Sequence, residues 1–537
     1  MSTRREAGSG KRAAPSVFLG SLQDAVDRRL RQMEEARLVE RVWAKDPTVW
    51  KPDPGTPEIT NRLGWLDVAD AMLVAAPDLR RLAEAARGSF DRVVLCGMGG
   101  SSLAPEVLRR TFESRKGFPG LTVLDTTEPG AVDAVGSSAS RLARTLFIVS
   151  SKSGSTQETG SLAAHFWAAT QAAGAQFVAV TDPGTPLERL ARERGFRRVF
   201  SNPPDIGGRY SALSYFGLVP AALIGVDIDT MLRTGQAMAA RCRERRAGRN
   251  PGAWLGAVIG EAALAGRNKL TIVCSPALAS FGLWAEQLVA ESSGKEGKGI
   301  VPVVEPALGE PAAYGADRLF VRMSLAGERD AAGERALERL QAAGHPVVRL
   351  VLGDRTELGA NFFGWEFAVA TACAIIGVNA FDQPNVAESK ANTKQLLASG
   401  VTPSPAATPG ELRTFLQGIP QGHYLALLAY VRPDDATERR LNGVAMRLRD
   451  ATRVAVTWGF GPRYLHSTGQ LHKGGPAIGH FLMVTAEPSS RVPIPEHRFD
   501  FGTLFHAQYE GDRQALGRRG LPVLRVASLD ALEAAVP

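Results

Sequence analysis

Three stretches of this chain hold residues whose types and spacing could do chemistry. E-S-S-G-K-E-G-K-G, at 291–299, puts Glu291 beside a glycine-lined opening, with Gln287 four residues before it. F-D-Q-P-N-V-A-E-S-K, at 381–390, ends on Lys390. Upstream, S-S-K-S-G-S-T-Q-E-T at 150–159 crowds Ser151, Ser153, Ser155 and Thr156 together. A carboxylate can take and return a proton, a lysine can donate one, and clustered hydroxyls can hold a phosphate monoester. Together they suggest proton-transfer chemistry on a phosphorylated sugar.

The elements that must position these groups are legible as apolar runs. Runs at 93–96, 121–124, 146–149 and 177–180 alternate with helical patterns. Continuous apolar strands separated by helices indicate a parallel sheet covered on both faces. The pattern restarts at 270–274, 319–321 and 347–352, and again at 425–431, 454–456 and 481–484. The expected fold is therefore α/β: two three-layer αβα sandwiches in tandem, with parallel sheets, plus a third, C-terminal α/β unit. The units are drawn at 90–235 (phosphate-binding), 250–400 (base and lysine) and 410–537 (carrying His466). A disordered N-terminus is expected over 1–17 and a helical, Trp-bearing lead-in over 18–89. V-T-P-S-P-A-A-T-P-G, at 401–410, reads as a linker.

C-G-M-G-G-S-S, at 96–102, follows the first strand, and a helix should start near Leu103. Glycines let backbone N–H groups approach an anion, and a helix N-terminus adds partial positive charge. Dinucleotide binding is the competing reading. Gly97 and Gly99 fit G-x-G, and Asp125 ends the next strand, where a ribose-binding acid would sit. Against it, Ser102 occupies the third glycine position, and the third strand ends in hydroxyls that a nicotinamide site does not require. The bland alternative is a Ser/Thr-rich N-cap turn. Two Gly/Ser loops at neighbouring strand ends favour a ligand, because α/β folds place ligands at the carboxyl ends of parallel strands.

Gln287 and Glu291 share a face of a helix expected over 284–291, with Gly294 as its C-terminal stop. An ordinary surface glutamate is the competing reading; the glycines and lysines that follow favour a site. For Lys390, Asp382 is expected to cap a helix with Pro384 in its first turn, leaving the lysine two turns in, where lysines usually face solvent. R-Y-L-H-S-T-G-Q-L-H-K-G-G-P, at 463–476, sets His466 and His472 in a Gly-rich loop. No carboxylate or cysteine ligand pattern accompanies them, so no metal is expected. His466 reads as a proton shuttle, and His472 as a plain loop histidine.

Among 537 residues, 63 Lys and Arg outnumber 55 Asp and Glu, a net charge of +8. The arginine runs at 192–198 and 241–249 read as solvated turns and helix ends. They lack the interleaved aromatics of a nucleic-acid groove, and leave a mild pull on anionic small molecules. The four cysteines lie far apart, as reduced buried thiols of a cytoplasmic protein do. No apolar run approaches the roughly 20 residues of a membrane span. The longest candidate, 367–378, reads as a buried helix. The N-terminus lacks the apolar core of a secretory signal.

G-M-G-G-S-S-L-A-P (97–105), S-K-S-G-S-T-Q-E-T (151–159), G-G-R-Y-S-A-L-S (207–214), E-S-S-G-K-E-G-K-G and F-D-Q-P-N-V-A-E-S-K resemble, in order, the blocks of the glucose-6-phosphate isomerase family, of the sugar-isomerase (SIS) fold. The third unit and the lead-in, with V-W-A-K-D-P-T-V-W (42–50) and N-R-L-G-W-L-D (61–67), resemble the isomerase half of transaldolase–isomerase fusions. Fewer than 90 residues precede the first unit, too few for a transaldolase barrel of about 250 residues. The resemblance implies reversible interconversion of glucose 6-phosphate and fructose 6-phosphate, in glycolysis and gluconeogenesis, through a cis-enediol. It implies that Gly100, Ser101, Ser151, Ser153 and Thr156 bind the phosphate end. By the same resemblance, Arg209 stabilises the enediolate and Glu291 moves the proton between C1 and C2. Gln287 and Gln383 contact substrate, Lys390 lies near the ring oxygen, and no cofactor or metal is required.

One block departs from the family order. L-H-S-T-G-Q, at 465–470, follows Lys390, and A-A-Y-G-A-D-R, at 312–318, stands where it would usually lie. His466 must then reach the site from the third unit or from a partner subunit. A homodimer and a separate transaldolase are the protein partners implied; nucleic acid and membrane are not. The alternatives are an isomerase with broader hexose 6-phosphate specificity, mannose included, and a non-catalytic sugar-phosphate sensor. A dehydrogenase is the weakest.

Overall fold

The computed structural model describes residues 17–487 and 490–536. The N-terminus expected to be disordered therefore lies outside the described residues, except at Val17. That residue opens β1 (Val17–Phe18), which pairs antiparallel with a strand of the second sheet, Val17 opposite Val348. The lead-in is thus not purely helical.

The first sheet holds β2 (Arg92–Gly97), β3 (Gly120–Leu124), β4 (Thr145–Ser150), β5 (Phe177–Thr181) and β6 (Arg198–Ser201), in the order β3-β2-β4-β5-β6, all parallel. The second holds β7 (Lys269–Cys274), β8 (Val301–Val304), β9 (Arg318–Leu325) and β10 (Val347–Leu352), in the order β1-β10-β9-β7-β8, parallel apart from β1. The third holds β11 (Tyr424–Tyr430), β12 (Ala455–Phe460), β13 (Gly479–Thr485) and β14 (Val523–Val526), in the order β12-β11-β13-β14, again parallel. The central strands β4, β5, β11 and β13 are buried along their whole length. That is why they read as unbroken apolar runs instead of alternating ones. The four strands that the apolar runs do not reveal, β1, β6, β8 and β14, all lie at sheet edges. Of these, β1, β6 and β14 are short and only partly covered, so they carry a weaker pattern.

Six helices carry or support the segments of the candidate site: α1 (Leu103–Phe112), α2 (Gln157–Ala169), α3 (Phe281–Ser293), α4 (Leu358–Ile376), α5 (Ala387–Ser399) and α6 (Phe501–Arg518). One hydrophobic core runs from the lead-in through the first two sheets. The lead-in tryptophans are fastened into it: Trp50 Nε1 donates to Ala370 O at 2.8 Å, and its ring meets Phe381 edge-on at 4.8 Å. The span 355–376, ending α4, is long and apolar enough to cross a membrane, but 83% of its most apolar window is buried inside the protein. The run expected to be a buried helix is therefore part of a longer core helix. All four cysteines are free thiols.

The third sheet packs on the second through β8 and the C-terminal half of α3, with Ala290, Val301 and Val303 in one cluster with Tyr424 and Phe481. Further along, α5 lies on α6. Asn392 Nδ2 donates to Gly511 O at 3.0 Å, and Ser389 Oγ donates to Asp512 Oδ1 at 2.8 Å. The segment bearing Lys390 thus rests on the third unit.

Candidate active site

At the end of β2, the turn before α1 is pressed against two other segments. A Cβ on Gly100 would fall 2.0 Å from Gly208 O, so only glycine lets the cradle and the Arg209 turn come together. Gly99 has φ +56°, and a Cβ there would fall 2.6 Å from His466 O. α1 starts at Leu103, as expected. After β4, Ser151 Oγ lies 3.0 Å from Thr156 Oγ1 and accepts from Gly154 N at 3.1 Å. Ser153 Oγ accepts from Ser155 N and Ser155 Oγ. Thr156 is the N-cap residue of α2, yet its side chain makes no capping bond. Its hydroxyl is not spent on the helix, as a plain N-cap turn would require.

α3 ends at Gly294, also as expected. Gln287 Nε2 donates to Glu291 Oε2 and to His466 O, both at 3.0 Å. Arg209 is only 2% exposed, and its Nη1 lies 3.5 Å from Glu291 Oε1. The same guanidinium donates to Ser292 Oγ (2.9 Å), Ala380 O (2.8 Å), Asp382 O (2.8 Å) and Gln383 Oε1 (3.0 Å). It ties the 207–210 turn, the end of α3 and the 380–383 loop into one frame. Lys295 sits beneath this frame, 2.7 Å from Asp382 Oδ1. Burial, reinforced by the neighbouring Arg209 charge, pushes its ammonium down to about 8 despite Asp382.

His466 ends a short turn, Arg463–His466, that follows β12. Its Nε2 lies 3.0 Å from Glu158 Oε1, in the first turn of α2. Burial alone would push the Glu158 carboxyl up, but His466 and, further off, Lys390 hold it below the ordinary carboxylate range. Gln508 of α6 donates to the same Oε1 at 2.7 Å and accepts from Thr127 Oγ1 at 2.6 Å. His466, Lys390, Thr156 and Glu158 line one cavity of about 220 Å3.

Three expectations are corrected. Asp382 does not cap the helix of Lys390, because its carboxylate is taken by Lys295. α5 begins only at Ala387 after Val386, so Lys390 lies in its first turn, exposed at the cavity rim, not two turns in. His472 is no loop histidine. It is buried in the short helix Gly469–Gly474, 2.9 Å from Tyr424 OH, and burial pushes its imidazole down to about 3. Asp125, weighed as a ribose ligand, is 2% exposed and binds Arg463 through two contacts of 2.7 Å, holding the His466 turn.

The sequence reading passed over Glu158, although it lies in the hydroxyl block. An acid in the first turn of a helix after such a run was the available signal. Gln508 gave none beyond being a polar residue on the buried face of α6.

These parallel sheets make this an α/β protein, with a hydroxyl-rich turn, an arginine, a carboxylate and a histidine grouped in one candidate site. Residues 82–304 match the family model described as phosphoglucose isomerase. Over 306 residues the chain is 30% identical to a glucose-6-phosphate isomerase of Citrifermentans bemidjiense, covering 52% of this chain and 56% of that protein. Over 219 residues it is 36% identical to one of Synechococcus sp. (strain JA-3-3Ab), covering 39% and 40%. The chain thus spans about half the length of the curated relatives it matches. Among solved structures, a hypothetical protein from Thermus thermophilus aligns with TM-score 0.61 and 26% identity, over 72% of this chain and all (100%) of that one. A glucose-6-phosphate isomerase from Chlamydia trachomatis shares the fold, with TM-score 0.59 and 20% identity over 70% of this chain and 86% of that one.

Proposed function

We propose that this chain is an aldose–ketose isomerase interconverting glucose 6-phosphate and fructose 6-phosphate. The observation that carries this reading is the frame in which Gln287 bridges Glu291 and the His466 backbone while Arg209 lies beside the carboxylate. The hydroxyls of Ser101, Ser151, Ser153 and Thr156 hold the phosphate and fix the sugar's register, so that later steps are intramolecular. Lys390 and His466 open the ring by trading protons with the ring oxygen and the anomeric hydroxyl. Glu158 orients the imidazole for this. Glu291 then removes the proton from C2 and returns it to C1. Arg209 opposes the charge that develops on the enediolate, where its help counts most.

On this reading the unit at 90–235 grips the phosphate, the unit at 250–400 supplies the base, and the third supplies His466 from the same chain. One copy then suffices, with neither a partner subunit nor a transaldolase needed for turnover. A cytoplasmic, glycolytic role goes with it.

The test is a coupled assay of the purified chain with fructose 6-phosphate, reading glucose 6-phosphate formation with chelator present. Robust turnover is expected. Sugar-phosphate binding without turnover would turn the reading toward a sensor, and turnover of mannose 6-phosphate alone toward a different isomerase.

A further inference from the structure

A second, larger cavity of about 680 Å3 lies on the other side of α3, between the second and third sheets. Its walls include Cys274, Val304 and Phe460, the last residues of β7, β8 and β12. Carboxyl ends of parallel strands are where α/β proteins bind ligands, and the volume falls in the range of about 300–1,000 Å3 usual for small-molecule sites.

The polar groups in this wall define what would fit. Most of its arginines are spent. Arg110 grips Glu438 at 3.0 and 2.9 Å, Arg463 grips Asp125, and Arg339 grips Glu310 at 3.0 and 3.1 Å. Little positive charge is left for a phosphate. Three polar groups remain incompletely satisfied. Glu286 makes no hydrogen bond among the described residues, and Arg463 acts on its carboxyl only at a distance. Arg322, 3% exposed and paired with Asp330, keeps a buried Nε–H without a hydrogen-bond partner, Glu334 lying 4.0 Å away. Asn442 accepts from Trp458 Nε1 at 2.9 Å through Oδ1, which leaves its NH2 group for a ligand. Trp458 and Phe460, 5.3 Å apart, supply aromatic surface beside it.

An acceptor, two donors, aromatic walls and balanced charge describe a flat, uncharged heterocycle. We propose that this cavity is a second binding site, for an uncharged purine-type nucleoside whose N–H edge faces Glu286 and whose other polar atoms meet Asn442 and Arg322. Burial pushes the Glu286 carboxyl up to about 8, so at neutral pH it can itself donate as well as accept. The site is independent of the isomerase reading, but it shares walls with that site. Glu286 and Gln287 are neighbours on α3. Arg463 and Tyr464 line this cavity, while Leu465 and His466 line the other.

The experiment is titration calorimetry of the full chain with guanosine, adenosine and their 5′-monophosphates, on wild type and on the Glu286→Leu and Asn442→Ala variants, each checked by its melting transition. At least one nucleoside should bind saturably at one site. It should bind more tightly than its monophosphate, and each folded variant should lose affinity about tenfold, the scale of one hydrogen bond. Absence of binding by both nucleosides at millimolar concentration would overturn the proposal. So would tighter binding of the monophosphates, or undiminished affinity in a folded variant.

Discussion

Glu158 Oε1 and His466 Nε2 lie 3.0 Å apart although 308 residues separate them in sequence. The contact joins the first turn of α2 to the turn after β12, and it brings the histidine beside the hydroxyl-rich turn at 151–156 within one chain. A carboxylate so placed fixes which way the ring faces.

Replacing Glu158 by Gln should therefore lower kcat about tenfold to a hundredfold with little change in KM, as expected when a proton-transfer group loses its orientation. The pH–rate profile should shift as well, which a purely structural role would not cause. The Glu158 carboxyl is held below its ordinary value of 4.5. Its contribution to stability is therefore present above pH 4.5 and lost as pH falls through its lowered value. Denaturant midpoints measured at descending pH should show a steeper acid loss in wild type than in Glu158→Gln.

Asp125 and Arg463 form a buried two-contact pair that anchors the His466 turn to the first sheet. Asp125→Ala leaves the guanidinium without its partner and should cost about 3–5 kcal/mol in urea unfolding. If the variant folds, turnover should drop together with stability. Unchanged turnover would mean that the pair does not hold the histidine in place.

Gly100→Ala tests the close approach of the cradle to Gly208. With 2.0 Å between the new Cβ and Gly208 O, backbone must move, at a cost of about 1–3 kcal/mol or more. Because the displaced turns carry Ser101 and Arg209, both KM for the sugar phosphate and kcat should worsen.

Glu286 gives a second pH signature. Its carboxyl is raised from 4.5 to about 8 by burial. The folded state therefore binds more protons than the unfolded one in that window, and stability falls as pH rises through it. Glu286→Gln should leave stability near wild type at pH 4.5 and raise it relative to wild type at pH 8. Parallel denaturant midpoints at the two pH values would contradict this.

The central strands could be read from the sequence because burial on both faces leaves unbroken apolar runs such as 146–149 and 425–431. The edge strands β6 and β14 could not, since Arg198–Ser201 and Val523–Val526 are short and only partly covered. Helix ends were legible where a local stop existed, at Leu103 and Gly294. They were misread at Lys390, where a long-range partner, Lys295, takes the carboxylate that local chemistry would have made a cap. In the candidate site, the resemblance picked out Glu291, Arg209 and Gln287 together, and the structure joins them by direct contacts. The Glu158–His466 pair stayed hidden because no local pattern links positions so far apart.

The most direct test of the central claim, that Glu291 moves the proton, pairs two readings on Glu291→Gln. Coupled turnover of fructose 6-phosphate should fall by about a thousandfold or more, while sugar-phosphate affinity by calorimetry stays within about threefold of wild type. Turnover near the wild-type rate in this variant would remove Glu291 as the base and contradict the mechanism built on it.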